Sequence, residues 1–282
     1  MKKVLLILLI ILSACSNPHT DKEDLIIYSP YPERFIQPVV QDFEHDTGQR
    51  VRIIHDSTRK LIKKVEQTPM EERGHVFVGG SLSELKGSSS IIKGEIKPFI
   101  YMPSVFIVNK DLIGDIKVDK YRDLLKKELY KQFSYPNPEL TNTGYQHRSA
   151  LETIYNQSQS EKILNRGVQL NKTADVMEHV ISGRSYVGLT YEYAAMDYMD
   201  KGYPLKIIYP SDGTIINTDG IVKINDHPKS EAFIQYMLSK HVQQHISTTF
   251  HVKPIHKEIQ ITPYKVLKPL NEINVIQKGG AS

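Results

Sequence analysis

Between residues 25 and 81 the sequence alternates short β-rich apolar runs with segments of helical period, and that alternation restricts the fold more than any other feature. Leu25-Ile26-Ile27-Tyr28 is a short apolar run closed by Ser29-Pro30. Phe35, Ile36, Val39, Val40 and Phe43 then recur at helical spacing, with Thr47-Gly48 as the stop. Pro38 interrupts this stripe, so the helix either begins near Gln37 or kinks there. Arg50 to His55 alternates as a second strand, and Leu61, Ile62 and Val65 mark a second helix. Val76-Phe77-Val78 is a third strand, ending in Gly79-Gly80-Ser81. Strand, helix, strand, helix, strand in this order builds a parallel sheet with right-handed crossovers.

A second α/β series begins after Pro103. Val105 to Val108 is a continuous apolar strand, and Tyr121, Leu124 and Leu125 give a short helix. Phe133-Ser134-Tyr135 leads through a Pro- and Asn-rich loop into a helix carrying Ala150, Leu151 and Ile154. Val176, Met177, Val180 and Ile181 form another helical stripe; Tyr186–Thr190 and Leu205–Tyr209 read as strands. Ile221 to Ile224 is a return strand, followed by a helix around Ala232, Phe233, Tyr236 and Met237. The expected architecture is α/β with two lobes: 24–103 plus 219–282 as the first, 104–218 as the second. The chain crosses between them near Tyr101–Pro103 and Asp212–Asp219.

The N-terminus has its own logic. Lys2 and Lys3 precede a nine-residue apolar run, Val4 to Leu12, too short for a membrane span of about 20 residues but suited to a signal peptide. The run ends in Leu12-Ser13-Ala14-Cys15, which resembles the bacterial lipoprotein box, so residues 1–14 are expected to be removed and Cys15 lipidated. Residues 15–23 then form a lipid-anchored polar linker, on the extracellular face of the cell membrane. Cys15 is the only cysteine, which excludes an internal disulfide and a Cys-based zinc site. A net charge of +4 over 282 residues is too small and too scattered for a nucleic-acid partner.

Small hydroxyl and glycine residues cluster where the strands end: Ser29-Pro30-Tyr31, Ser57-Thr58-Arg59, Gly79-Gly80-Ser81, and Thr141-Asn142-Thr143-Gly144-Tyr145 ahead of Arg148. In an open parallel sheet such loops share the edge where ligands bind. Helix N-termini there offer unpaired N–H groups, the hydroxyls add donors, and Arg59 or Arg148 could add charge-assisted bonds, a set that suits a small anion. Each cluster taken singly is better read as an ordinary cap or turn; it is the four at matching topological positions that bring the ligand reading level with it. Thr190-Tyr191-Glu192-Tyr193 is a further strand end, in which Glu192 could accept from sugar hydroxyls. Catalytic chemistry has no foothold. His55-Asp56-Ser57 are neighbours whose side chains cannot form a relay, and the HExxH, GxSxG and Walker patterns are absent. No metal cluster and no cofactor are expected.

The order of these segments resembles a known family. Leu25 to Pro30, the Phe35–Gly48 helix, Gly79-Gly80-Ser81 and Asn137-Pro138 through Tyr145 recur in it. So do Ile181 to Arg184 with Val187 to Thr190, and Tyr209-Pro210 with Asp212-Gly213. Together they resemble extracellular solute-binding proteins of the ferric-iron and phosphorylated-solute group, attached to ABC transporters. The resemblance implies a two-lobe periplasmic-binding-protein type II fold with a hinge of crossing strands, closing on one small ligand and lacking enzymatic activity. Within the group the chain is most similar to hexose-phosphate-sensing lipoproteins that serve a sensor histidine kinase. This implies a phosphate site from Ser29, Ser57, Thr58, Gly80, Ser81, Thr143, Gly144 and Tyr145, and a sugar site near Thr190 and Glu192. The implied ligand is a phosphorylated sugar such as glucose 6-phosphate, or phosphate, and the implied partner is a sensor-kinase extracellular domain or an ABC permease. The alternative is a ferric-iron-binding lipoprotein. That chemistry uses neighbouring Tyr phenolates, whereas Glu192 separates Tyr191 from Tyr193 here.

Overall fold

A computed structural model of the chain describes residues 24–259 and 267–276. Cys15, the signal sequence and the linker lie outside the described residues. The first lobe opens with strand β1 (Leu25–Ser29), helix α1 (Glu33–Thr47), β2 (Val51–His55), α2 (Thr58–Gln67), β3 (Val76–Ser81) and the short α3 (Leu82–Gly87). Helix α1 runs straight through Pro38 from Glu33. The carbonyl that loses its partner to the proline belongs to Arg34, which is exposed and can be hydrated, so the buried stripe Phe35, Ile36, Val39, Val40 and Phe43 holds the helix together. Gly48 ends it in a left-handed turn, φ 62°, its N–H capping the Glu44 carbonyl.

Strand β4 (Lys97–Asn109) then leaves this lobe and enters the second. That lobe continues with β5 (Phe133–Pro136), α4 (Asn142–Ile154), α5 (Gln157–Leu164), β6 (Val168–Leu170), α6 (Thr173–Ile181), β7 (Val187–Tyr191), α7 (Glu192–Met199) and β8 (Leu205–Ile208). The residues read as a short helix at Tyr121 form a 3-10 turn, Tyr121–Leu125. The chain returns through β9 (Ile216–Lys223), α8 (Ser230–Met237), α9 (Lys240–Phe250) and the two-residue β10 (Lys253–Pro254).

One curled sheet threads both lobes in the order β2-β1-β3-β9-β4-β7-β5-β6, with β8 and β10 also paired to β4. In lobe 1, β1 is parallel to β2 and β3, and β9 is antiparallel to β3 and β4. In lobe 2, β5 is parallel to β6 and β7, while β7 and β8 flank β4 antiparallel. The changeover lies within β4: Lys97 to Pro103 pair with β9, Ser104 to Val108 with β7. The period of two is visible in its packing. Phe106 and Val108 face the core under α4 and α5, while Val105 and Ile107 face the core under α6 and α7. Lobe 1 is likewise filled on both faces, with α1, α8 and α9 on one side and α2 and α3 on the other.

The C-terminal stretch departs from expectation. The sequence reading assigned residues up to 282 to lobe 1, but Leu267, Leu270 and Ile273 pack with Val105, Ile107, Met177 and Met196 of lobe 2. Val275 bridges Thr214, and the Thr214 N–H donates to the Asn274 carbonyl at 2.9 Å. These apolar residues share one cluster with the inner faces of α6 and α7, so the described segment 267–276 packs with lobe 2.

Candidate functional site

The strand-end loops of lobe 1 meet in close contact. Gly79 and Gly80 have φ +100° and +80°, and both are closely approached: a Cβ on Gly79 would meet the Tyr31 ring at 2.7 Å, and one on Gly80 would meet Thr58 Cγ2 at 2.6 Å. The glycine end of β3, where its pairing with β9 shifts register, is thus wedged between the loop after β1 and the start of α2. Ser29 is fully buried, and its hydroxyl accepts from the Tyr31 N–H at 3.3 Å. The Ser81 hydroxyl is shared with Ser83 at 2.8 Å. Ser57 stands exposed at the head of α2.

At the centre lies Asp219, on the return strand β9. Its carboxylate accepts from the Tyr31 hydroxyl at 2.8 Å and from Asn217 Nδ2 at 2.9 Å, with the Gly80 N–H close by. Burial pushes its carboxyl up to about 6; these donors oppose the shift, and the nearby Glu84 adds to it. The same carboxylate and burial hold the phenols of Tyr31 and Tyr191 well above the ordinary tyrosine range and push Tyr193 up to about 12.

Lobe 2 meets this group with the first turn of α4. Thr141 caps the helix by accepting from the Gly144 N–H at 3.0 Å. Gly144 is required because a Cβ there would lie 2.1 Å from the Pro136 carbonyl oxygen, bringing α4 against β5. Asn142 Nδ2 and Gln146 Nε2 both donate to Asn217 Oδ1, each at 3.2 Å, and the Thr173 hydroxyl at the head of α6 donates to Thr143 at 3.0 Å. Tyr191, at the end of β7, puts its hydroxyl beside Thr143 and Asp219 without a well-formed hydrogen bond. Gln146 Oε1 is likewise buried and unpartnered. Buried polar atoms left unsatisfied are costly unless something fills their bonding positions. Outside this group the cleft opens into a cavity of about 760 Å³, lined by Arg59, Lys63 and Glu84 from lobe 1 and Asn142 and Tyr145 from lobe 2.

Of the residues singled out from sequence, Ser29 is taken up by the Tyr31 N–H, Thr58 lies against Gly80, Ser81 lies opposite Asp219 in the β3–β9 pairing, Thr143 receives the Thr173 hydroxyl, and Gly144 sets the approach of α4. Tyr145 stands at the cleft rim, 37% exposed, under the Arg148 guanidinium. Arg148 pairs with Glu139 and Glu152, and Arg59 with Glu84 at 3.1 Å, so neither points a free charge inward. Thr190 turns its carbonyl to His147 Nε2 at 3.1 Å, and its hydroxyl is buried without a partner. Glu192 is a correction: it is fully buried against Lys253 Nζ at 2.9 Å and the Tyr209 hydroxyl, on the hinge side. Glu192 is the first residue of α7, and its carboxylate is taken up by Lys253 and Tyr209.

Sequence reasoning missed Tyr31, Asn217, Asp219 and Gln146 as site residues. The available signal was the polar run Asn217-Thr218-Asp219 immediately ahead of the apolar return strand that begins at Ile221. No group of three or more potential metal-ligating carboxylate, His or Cys residues occurs among the described residues, nor any helix long and apolar enough to cross a membrane.

Comparison with known proteins agrees with this geometry. The family model of bacterial extracellular solute-binding proteins matches residues 25–249. A structure described as a two-component system protein mediating signal transduction shares 35% identity. The match covers 90% of this chain and 94% of that one, with a TM-score of 0.83. Iron-bound HitA from Pseudomonas aeruginosa (17% identity, 89% and 92% covered, TM-score 0.77) has the same fold. So does the periplasmic binding protein AfuA from Actinobacillus pleuropneumoniae with exogenous fructose 6-phosphate bound (14% identity, 90% and 91% covered, TM-score 0.75). No curated protein matches by sequence. Two lobes on one shared sheet, a polar group at their junction and a family match over most of the chain lead to one conclusion: this protein belongs to the bacterial extracellular solute-binding proteins.

Proposed function

We propose that the protein is a lipid-anchored receptor that captures a phosphorylated sugar, a hexose phosphate such as glucose 6-phosphate, between its lobes. The observation that carries this reading is the buried interlobe polar group with its two unpartnered atoms, Tyr191 Oη and Gln146 Oε1. A sugar phosphate is an anion at one end and a set of hydroxyls at the other. The Asn142–Thr143 turn at the head of α4 and the Ser81 and Thr58 loops supply N–H and O–H donors for the anion. Asp219, Asn217 and Gln146 supply acceptors for hydroxyls. Lobe 1 (24–103 with 219–259) and lobe 2 (104–218 with 267–276) close on the ligand by its differential affinity for the closed form. The closed shape is then read by the extracellular domain of a sensor histidine kinase or by an ABC permease. Signal cleavage before Cys15 and lipidation of that residue keep the protein on the outer face of the membrane. The role is binding rather than catalysis, as is usual for the family.

Calorimetry with glucose 6-phosphate, glucose, phosphate and ferric iron on the chain beginning at Ser16 tests this. Glucose 6-phosphate should bind and glucose should not. Replacing Ser81→Ala together with Thr143→Ala should weaken it by about 1–3 kcal/mol, the scale of bonds to a charged group. Silence toward all phosphorylated sugars alongside tight ferric binding would overturn the proposal in favour of iron.

A further inference from the structure

The outer end of lobe 2, away from the cleft, gathers five strand ends. The pairings of β4 with β7 and β8, and of β5 with β6 and β7, bring Asn109, Val187, Leu205, Phe133 and Val168 to one edge. Backbone bonds knit the turns there into a continuous ribbon. The Lys110 N–H donates to the Pro204 carbonyl at 2.8 Å, Asn109 to Tyr186 at 3.1 Å, Tyr186 to Gln132 at 2.7 Å and Lys131 to Arg166 at 2.8 Å. Leu112 borders the same ribbon at Gly183. Three large apolar side chains stand exposed on it: Tyr130 at 56%, Leu112 at 42% and Tyr203 at 40%. Apolar residues scattered singly need no explanation, but three along one ribbon mark a contact surface.

Its charge is one-sided. Lys110, Lys131, Arg166, Arg184 and Lys201 lie along the ribbon, and among the described residues none of the five makes an ion pair. The carboxylates beside them are Asp111 and Glu178, and Glu178 accepts from the Tyr198 hydroxyl at 3.0 Å. Lys131 holds a left-handed backbone, φ 59°, which a lysine adopts only with strain. That turn sets Lys131 Nζ and the Arg166 guanidinium over the Tyr130 ring, 6.0 and 5.2 Å from its centroid. Tyr and Arg are the side chains that most often anchor protein interfaces, and the surrounding cations call for carboxylates opposite them.

We infer that this edge of lobe 2 is a docking surface for an acidic face of a partner protein. Chain geometry favours a protein over the bilayer as occupant, and on this point the inference rests on the lipid anchor proposed at Cys15. The described chain enters lobe 1 at Asp24, beside β1, at the end of that lobe where β4 also begins. Strand β4 runs from there to the ribbon over 13 residues, about 40 Å. The nine residue steps from Cys15 to Asp24 reach about 30 Å at most. An anchored molecule standing with the ribbon on the bilayer would need a longer tether.

The test uses the chain beginning at Ser16 at low salt, with labelled poly-L-glutamate as the acidic probe and phosphatidylglycerol-containing vesicles as the lipid one. Wild type should bind polyglutamate. Lys110→Glu with Arg184→Glu should weaken that binding at least about tenfold, whereas the equal charge change on lobe 1, Arg52→Glu with Lys64→Glu, should weaken it less than about twofold. Tyr130→Ala, which alters no charge, should still weaken it about threefold or more. All five positions are exposed, so the variants are expected to fold. Polyglutamate binding that is absent in wild type, that falls equally in both charge variants, or that is indifferent to Tyr130→Ala would overturn the inference. So would vesicle binding that is lost in the Lys110→Glu, Arg184→Glu variant, which would assign the ribbon to lipid. A chain that binds polyglutamate through the ribbon yet ignores every phosphorylated sugar would keep this inference and lose the proposed ligand.

Discussion

The buried pair Lys253–Glu192 joins the lobes on the hinge side, and its removal has a calculable cost. Lys253 lies on β10 of lobe 1 and Glu192 at the head of α7 in lobe 2; their side chains are 6% and 1% exposed, with Nζ and Oε1 2.9 Å apart. Lys253→Met leaves the carboxylate buried with only the Tyr209 hydroxyl as a strong partner. Unpairing a buried charge typically costs 3–5 kcal/mol. A second route gives the same scale: the carboxyl escapes by staying protonated, and holding a group of ordinary value 4.5 neutral at pH 7.5 costs about 4 kcal/mol. Burial already raises the Glu192 carboxyl, so the sign of the pH dependence follows. The folded variant binds a proton more readily than the unfolded chain, so its deficit is full at high pH and shrinks as pH falls toward the unfolded value. Urea unfolding should therefore show Lys253→Met weakened by about 3–5 kcal/mol at pH 7.5 and by clearly less at pH 5. The double variant Lys253→Met, Glu192→Gln should return to within about 1 kcal/mol of wild type, because the stranded charge is gone. Affinity for the ligand should be unchanged in both variants, since Glu192 faces the hinge and not the cleft. A single variant that loses under about 1 kcal/mol, or a deficit independent of pH, would refute this account.

Two other expectations are independent of any ligand. Gly144→Ala should destabilise the fold by about 1–3 kcal/mol or more, as its methyl would press on the Pro136 carbonyl, whereas Gly87→Ala, with open space around it, should be silent; urea midpoints distinguish them. His147 is buried, its Nε2–H donating to Thr190 and its Nδ1 accepting from Tyr121, and burial pulls its pKa down to about 4. Its contribution to stability, about 3 kcal/mol, should be complete above the unfolded value of 6.5 and lost progressively as pH falls to about 4, with its ring resonance showing a neutral imidazole at pH 5.

The elements that sequence revealed are those whose own periodicity carries the information. The stripe from Phe35 to Phe43 and the run from Val105 to Val108 are each buried as their spacing demands. Pro38 misleads locally because a proline costs one hydrogen bond, and five buried side chains outweigh it. The glycine turn at 79–80 was recognisable as a strand end, but its reason, contact with Tyr31 and Thr58, lies some twenty to fifty residues away in sequence. Asp219 was read only as a boundary, because its partner Tyr31 is 188 residues distant and no local spacing encodes that meeting. Glu192 is engaged by Lys253 and Tyr209 instead, partners 61 and 17 residues away that no local spacing announces. The path of residues 267–276 over lobe 2 has no periodic signature at all.

The continuity of β4 through both lobes has a mechanical corollary. Neither half of the molecule is made of contiguous chain, so the first hundred residues to be synthesised lack β9 and β10, which must flank the first part of β4 before that sheet is complete. An early segment therefore has no finished product to settle into, and the polypeptide is expected to remain extended and threadable until nearly all of it is present. Once assembled, the halves share a single backbone element and should come apart together, in one sigmoid rather than two successive steps.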